Sequence, residues 1–172
     1  ASEPELLEAF VNRLGEHLLD MCSAQIEAGK GRLSGMYIWG DVAYRNCMFF
    51  SPAMWRRMFR PHVKALIDLC HQHGLPVVYH GCGNASVILD DYIEMGLDAY
   101  NPLEAKAGLD VVELRREYGH AIGFCGNSDV RVWEGGDRDA IRREVLRKLN
   151  AAKGGGFIFQ SDHSVTSSVS GH

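Results

Sequence analysis

The chain has 172 residues, of which 46% are hydrophobic and 23% charged, and its formal net charge is -4 at pH 7. This size and composition are typical of one globular domain and leave too little chain for two well-packed cores. The negative charge argues against a nucleic-acid-binding surface, which needs a clustered basic excess, and no apolar run has the length of a membrane span.

Amphipathic helices and short apolar strands alternate along the chain. Apolar residues spaced three and four apart from Leu7 to Cys22 predict one face of a helix over residues 4–28, followed by a strand at 36–39. Ser51 and Pro52 have the residue types of an N-cap and a first helical position, and they begin a predicted helix that ends at Gly74. The later predicted strands are residues 76–79, 99–100, 121–125 and 157–160, and the later predicted helices are residues 85–95, 110–118 and 137–152.

Strands that alternate with helices of this length predict a parallel sheet covered by outer helices. About five strands fall short of the eight in a closed (β/α)8 barrel, which takes about 250 residues. We therefore predict an α/β fold, a partial (β/α)8 barrel of the TIM type in a single domain over residues 1–172. A small doubly wound sheet is the alternative. A partial barrel leaves strand edges unpaired and apolar surface uncovered, so we expect a homo-oligomer.

The five cysteines are odd in number and scattered without the spacing of a disulfide framework. This pattern favours reduced thiols in a reducing compartment. The first residues lack the basic and apolar regions of a signal peptide. The sequence therefore predicts a cytoplasmic protein. Cys22 and Cys70 lie on the apolar faces of predicted helices, so we expect both to be buried in the protein core.

Polar side chains collect at the ends of the predicted strands, where α/β barrels have their active sites. The most informative pair is His80 and Cys82, because residues two apart in an extended segment point to the same side. Imidazole nitrogen and thiolate sulfur are zinc ligands, so this pair predicts half of a metal site. A core histidine that donates to a carbonyl, beside an inert buried thiol, is the alternative interpretation.

Several segments resemble the uroporphyrinogen decarboxylase superfamily, and the resemblance spans nearly the whole chain. These segments are Trp39-Gly40-Asp41, Ser51-Pro52 with Trp55, Arg60-Pro61, residues 76–83, residues 96–99, residues 126–129 and residues 156–163. The superfamily has a (β/α)8 barrel fold and contains porphyrinogen decarboxylases and zinc-dependent corrinoid methyltransferases. The resemblance concerns the later strands, which implies that the chain is the C-terminal portion of such a barrel.

The two branches of this superfamily differ at the residues that matter for chemistry. The methyltransferase branch has a His-x-Cys pair and a further cysteine after the last strand, and all three bind zinc. His80 and Cys82 match the pair, whereas His163 stands where the further cysteine would be. The decarboxylase branch lacks the pair and has a functional histidine near the last strand, which His163 resembles.

The resemblance implies an enzyme with zinc bound by His80, Cys82 and His163. It implies a corrinoid-linked methyltransferase of the methylcobamide:thiol type, with a small-molecule thiol, a corrinoid cofactor and a corrinoid protein as partners. The alternative is a lyase of porphyrin biosynthesis that decarboxylates a tetrapyrrole without a metal. A third hypothesis is a catalytically silent half-barrel.

The remaining site residues are predicted from the same strand ends. The predicted catalytic residues are Asp41, His163 and Asp129, with Asp41 also a candidate for the fourth zinc ligand. The predicted substrate contacts are Asn101, Asn127 and Trp39. Structural alternatives exist for most of them: a cap for Asp41 and Asp129, a turn for Asn127, packing for Trp39 and a solvated terminal loop for His163.

Overall fold

The computed structural model describes residues 3–169 of the chain. Over this range the chain forms seven α-helices and seven strands. The helices are α1 (Pro4–Gly29), α2 (Pro52–Met58), α3 (Arg60–Gln72), α4 (Leu89–Glu94), α5 (Val111–Tyr118), α6 (Val130–Glu134) and α7 (Arg138–Ala151). The strands are β1 (Met36–Trp39), β2 (Ala43–Tyr44), β3 (Cys47–Met48), β4 (Val77–His80), β5 (Ala99–Asn101), β6 (Gly123–Ser128) and β7 (Phe157–Ser161).

Five of the strands form one parallel sheet in the order β1, β4, β5, β6, β7. This order follows the chain without a reversal, whereas a doubly wound sheet reverses direction at a switch point. The predicted α/β class with a partial barrel of the TIM type is therefore confirmed. The other two strands, β2 and β3, form a separate antiparallel hairpin that the sequence did not predict, since two-residue strands have no periodicity to detect.

The fold divides into two compact units. The first unit comprises residues up to 38, residues 50–78 and residues 87–97, and it contains α1 to α4. Trp55, Ile67 and Tyr92 are fully buried in its core, and the rings of Trp55 and Tyr92 have centroids 5.4 Å apart. Cys22 and Cys70 are buried free thiols with their sulfur atoms 3.7 Å apart, which confirms their predicted place in the core.

The predicted helix from Pro52 to Gly74 is divided in two by Pro61. Proline has no amide hydrogen for the helical ladder, so α2 ends at Met58 and α3 begins at Arg60 with proline in its first turn. Two arginines of this region bind the nearly buried carboxylate of Asp91: Arg56 donates to it at 3.0 and 3.1 Å, and Arg60 lies 3.1 Å away. These ion pairs join α4 to α2 and α3.

The apolar face of α1 is only partly covered in the first unit. Its buried residues are Val11, Gly15, Cys22 and Ile26. The predicted inward-facing residues Phe10, Leu14, Leu18 and Met21 are instead exposed. The expected self-association stays a prediction. Across residues 3–169 no helix combines the length and the apolar character needed to cross a membrane.

The second unit comprises residues 39–49, residues 79–86 and residues from 98 onward, and Tyr100, Leu103 and Phe124 are buried in its core. The apolar spacing of Ile141, Val145 and Leu149 in α7 predicts that Leu149 faces inward, and this prediction is wrong, because Leu149 is exposed and its neighbour Lys148 is 3% exposed. The Lys148 ammonium group is hydrogen-bonded to Asn127 and lies 3.6 Å from the Glu144 carboxylate. The spacing of apolar residues does not predict this position, because Lys148 is charged and is buried through its polar partners.

Candidate active site and metal centre

The carboxyl ends of the parallel strands lie side by side in the second unit. The Gly40 amide donates to the His80 carbonyl at 2.9 Å, and the Gly81 amide donates to the Asn101 carbonyl at 2.9 Å. At the other end of the row, the Asp162 amide donates to the last residue of β6 at 2.9 Å. Segments far apart in sequence therefore reach one edge, as the sequence predicts.

His80 and Cys82 face each other at this edge. The Nε2 atom of His80 lies 3.5 Å from the Sγ atom of Cys82, and its Nδ1 atom lies 2.6 Å from Oδ1 of Asn101. Because an amide oxygen only accepts hydrogen bonds, Nδ1 carries the hydrogen, and in the neutral imidazole Nε2 then carries the lone pair that faces the sulfur. Asn101, predicted as a substrate contact, is buried and is the partner of His80 Nδ1; its role as a substrate contact stays a prediction.

Asp41 completes a first cluster with this pair. Its Oδ1 atom accepts a hydrogen bond from the Cys82 backbone amide at 2.9 Å and lies 4.0 Å from His80 Nε2. The ligand atoms of Asp41, His80 and Cys82 lie within 4.8 Å of one another, a set that could hold a metal ion. This hydrogen bond joins residues 41 positions apart in sequence, so it links two loops and caps neither a helix nor a local turn; the predicted roles of Asp41 as a catalytic residue and a zinc ligand stay predictions.

A second cluster shares the cysteine and contains Cys82, Glu104 and His163. Glu104 is nearly buried; its carboxylate accepts a hydrogen bond from the Gly83 amide at 2.6 Å and lies 3.0 Å from the Lys106 ammonium group. His163 Nε2 is 4.0 Å from the same carboxylate, and its side chain is 42% exposed. The two histidines of the predicted zinc set thus belong to different clusters, with Cys82 common to both.

The environment of Cys82 keeps its thiol protonated. Burial, together with repulsion of a negative sulfur by the nearby carboxylates of Asp41 and Glu104, raises the pKa of Cys82 to about 11. A bound divalent cation would reverse this balance, since it stabilises all three negative ligands at once. The cluster therefore has the electrostatic character of a cation site.

Beside these clusters lies a cavity of about 640 Å³. Some residues of the hairpin and some of both clusters line the cavity, and the full set is Asp41, Ala43, Tyr44, Arg45, Asn46, Phe49, Cys82, Gly83, Glu104, Lys106, Arg131 and His163. Its volume is that of a small-molecule site. The thiol of Cys82 and the imidazole of His163 are both accessible from it.

Three other predicted residues have clear positions. The exposed Trp39 indole packs edge-on against the His80 ring, with centroids 4.9 Å apart. Asp129 accepts a hydrogen bond from the Arg131 amide as the N-cap of α6, and the guanidinium of Arg131 lowers the pKa of its carboxyl group. Asn127 is fully buried and donates to two loop carbonyls at 2.8 Å. Trp39 thus borders the site, whereas Asp129 and Asn127 form hydrogen bonds within the protein. The predicted roles of all three in catalysis or substrate binding stay predictions.

Asp162 holds two of the loops that line the cavity. It is fully buried, and its carboxylate accepts hydrogen bonds from the amides of Ala105 at 3.0 Å and Val130 at 3.1 Å. These amides neighbour Glu104, Lys106 and Arg131 in sequence. Asp162 is thus a positioning residue for the cavity.

Sequence reasoning missed four charged residues of this cavity. Glu104 and Lys106 follow the end of β5 closely, so the rule that located Asn101 could have located them as well. Arg131 follows the predicted Asp129 by two residues. Arg45 lies in the unpredicted hairpin, and no pattern in the sequence marks it.

A parallel α/β sheet with a polar cavity at the carboxyl ends of its strands is the arrangement of α/β barrel enzymes. The chain belongs to the uroporphyrinogen decarboxylase family, because the model of that family, described as "Uroporphyrinogen decarboxylase (URO-D)", matches residues 1–170. The predicted family resemblance is therefore confirmed.

Individual relatives agree with this assignment. A uroporphyrinogen decarboxylase of Thermus thermophilus is 30% identical over 170 residues, covering 95% of this chain and 44% of the relative. One from Pelobacter propionicus is 25% identical and covers 98% of this chain and 46% of the relative. The chain thus spans about half the length of the curated relatives it matches.

Among solved structures, a methyltransferase from Methanosarcina mazei superposes with a TM-score of 0.72 and 22% sequence identity. The superposition covers 96% of this chain and 46% of that protein. At this identity the likeness concerns the fold alone.

Proposed function

We propose that this chain carries the zinc site of a corrinoid-linked methyltransferase that acts on a small-molecule thiol. The observation that carries the proposal is the approach of His80 Nε2 to Cys82 Sγ at 3.5 Å, with the tautomer of His80 set by Asn101. A histidine whose second nitrogen is held by a buried acceptor is typical of zinc sites.

The spacing of the ligand atoms fits zinc. Zinc–sulfur and zinc–nitrogen bonds of about 2.3 and 2.1 Å at a tetrahedral angle separate the two ligand atoms by about 3.6 Å. His80 and Cys82 have this separation without further movement, and Asp41 at 4.0 Å from His80 Nε2 needs only a small adjustment. Asp41, His80 and Cys82 would therefore hold the ion, and the side facing the cavity is open for a substrate.

Zinc, when bound, would act as a Lewis acid and lower the pKa of the substrate thiol, so that the thiol could lose its proton at neutral pH. The side chains of the protein do the remaining work. The methyl group moves from the carbon–cobalt bond of a methylcorrinoid to the substrate sulfur, the electron pair of that bond stays with cobalt, and the thiol proton leaves. We assign this proton to His163, whose side chain lines the cavity and is 42% exposed, so that it can take the proton from the substrate and pass it to solvent.

A second candidate function is the decarboxylation of an acidic tetrapyrrole, as the names of the curated relatives suggest. The specific observation in its favour is the presence of Arg45, Lys106 and Arg131 around the cavity, since cations attract substrate carboxylates. This chemistry needs no metal and gives Cys82 no role.

Metal content separates the two candidates. We would purify the chain without added zinc, measure zinc by mass spectrometry, and repeat the measurement for His80→Ala and Cys82→Ala. Cys47→Ala is the matched control, because Cys47 is an exposed thiol that does not line the cavity. Near-stoichiometric zinc that falls in both site variants and persists in the control supports the methyltransferase.

The activity assays complete the test. The zinc-loaded chain should demethylate methylcobalamin in the presence of a thiol, and Cys82→Ala should abolish this reaction. Uroporphyrinogen decarboxylation that needs no zinc and survives Cys82→Ala would favour the second candidate. A chain that binds no zinc after reconstitution would refute the first.

A further inference from the structure

We infer that Arg45 determines substrate specificity by binding an anionic group of the small molecule that occupies the cavity. This inference rests on the proposed function, because it takes the thiol site at Cys82 as the reacting end of the cavity. Arg45 lies in the hairpin between β2 and β3 and lines the same cavity as Cys82.

Arg45 differs from the other permanent cations of the cavity in its partners. Lys106 is 3.0 Å from the Glu104 carboxylate, and Arg131 is 2.7 Å from that of Asp129, so both charges are compensated within the protein. Within residues 3–169, Arg45 has no carboxylate at ion-pair distance; its guanidinium lies 5.4 Å from the centroid of the Tyr44 ring. This positive charge is therefore available to an anionic ligand.

The hairpin that carries Arg45 is fixed to the loop that carries Cys82. The Asn84 amide donates to the Arg45 carbonyl at 2.7 Å, and a side chain at Gly83 would approach the backbone of Ala43 to 2.7 Å. Gly83 therefore allows the loop and the hairpin to pack closely. The backbone segments that carry the charge of Arg45 and the thiol of Cys82 are therefore held together.

The backbone of Arg45 is unusual for a residue with a long side chain. Its φ angle is 49°, in the left-handed region that non-glycine residues rarely adopt. Glycine or asparagine would be less strained at this hairpin position. Strained backbone of this kind concentrates at functional sites, where the side chain has a role that the strain supports.

The ligand class follows from this geometry. A small molecule that reacts at the metal cluster and carries a carboxylate, sulfonate or phosphate at its other end would place that group against Arg45. Guanidinium groups bind such oxyanions through paired hydrogen bonds. The aromatic rings of Tyr44 and Phe49 line the same wall and would contact the body of the ligand.

The test compares two thiols of equal length, 3-mercaptopropionate with a carboxylate end group and 3-mercaptopropanol with an uncharged hydroxyl, in calorimetric titrations of the zinc-loaded chain. We expect the carboxylate thiol to bind on the order of tenfold more tightly. Arg45→Ala should abolish this preference without weakening the binding of the alcohol, and Arg45→Lys should restore part of it. Arg143→Ala, an exposed arginine of α7 outside the cavity, is the control and should retain the full preference.

The outcomes distinguish this inference from the proposed function. Equal binding of the two thiols, or a preference that persists in Arg45→Ala, overturns the role of Arg45 and leaves the thiol site standing. If neither thiol binds, the thiol substrate is refuted, and coproporphyrin, a tetrapyrrole with four carboxylates, becomes the probe. Coproporphyrin binding that is weaker in Arg45→Ala and unchanged in Arg143→Ala supports the role of Arg45. If the parent chain does not bind coproporphyrin, or if Arg45→Ala binds it as tightly as the parent, the role of Arg45 is overturned.

Discussion

Removing the side chain of Asn101 should weaken zinc binding without removing any zinc ligand. Asn101 Oδ1 lies 2.6 Å from His80 Nδ1, and Asn101 is 2% exposed, so water has little access to replace the lost acceptor. A buried donor deprived of its acceptor costs about 1–3 kcal/mol. This cost agrees with the roughly 10- to 100-fold loss of metal affinity seen when such supporting residues are changed.

The assay is a competition titration of zinc against a chromogenic chelator for the parent chain and Asn101→Ala. Asn101→Asp retains an acceptor for the His80 hydrogen and should keep the parent affinity or exceed it. Asn46→Ala is the matched control, because Asn46 is an exposed asparagine of the same cavity that lies outside both clusters.

A zinc affinity of Asn101→Ala within about threefold of the parent value would refute the reasoning, since the expected loss is roughly tenfold at least. Equal losses in Asn101→Ala and Asn101→Asp would refute it as well, because the acceptor is present in the second variant. Circular dichroism of each variant separates a loss of affinity from a loss of fold.

Three further predictions concern stability and reactivity. Asp162→Ala leaves one buried and one partly buried backbone amide without their acceptor and should lower the free energy of unfolding by about 2–5 kcal/mol in urea titrations, whereas Asp162→Asn should lose less. Arg131 lowers the folded-state pKa of Asp129, so this carboxylate adds stability above its unfolded pKa of about 3.9 and loses that contribution as pH falls through the folded-state value. As pH is lowered below 4, the urea midpoint of unfolding should therefore fall less steeply in Asp129→Asn than in the parent. Identical slopes of the midpoint against pH would contradict the ion pair. With its pKa raised to about 11, metal-free Cys82 should react with iodoacetamide at pH 8 more slowly than the exposed Cys47, and mass spectrometry of the alkylated peptides measures the ratio.

The fold was largely predictable because its signals are local and repeated. Strands at the predicted positions are present, with ends shifted by up to three residues, and β6 extends to Ser128 where residues 121–125 were expected. The break at Pro61 was also visible in the sequence, since proline stops a helical ladder. The sequence did not predict the burial of Lys148, which depends on tertiary partners, or the hairpin around Arg45, whose strands are too short to show a period.

The candidate site was predictable at its centre and less so around it. The spacing of His80 and Cys82 predicts their approach, because it depends on two residues of one strand end. The partners of these two residues come from other loops: Asn101 is hydrogen-bonded to His80, and Glu104 and His163 form the second cluster with Cys82. Such pairings arise from the register of the sheet, which one sequence does not specify.

X-ray absorption at the zinc edge tests the central claim most directly, because sulfur and nitrogen or oxygen neighbours of the metal are distinguishable by distance. The account predicts one sulfur neighbour in the zinc-loaded chain, with nitrogen and oxygen completing the shell, and its loss in Cys82→Ser. A zinc ion surrounded by nitrogen and oxygen alone in the parent chain would show that Cys82 is not a ligand and would contradict the account.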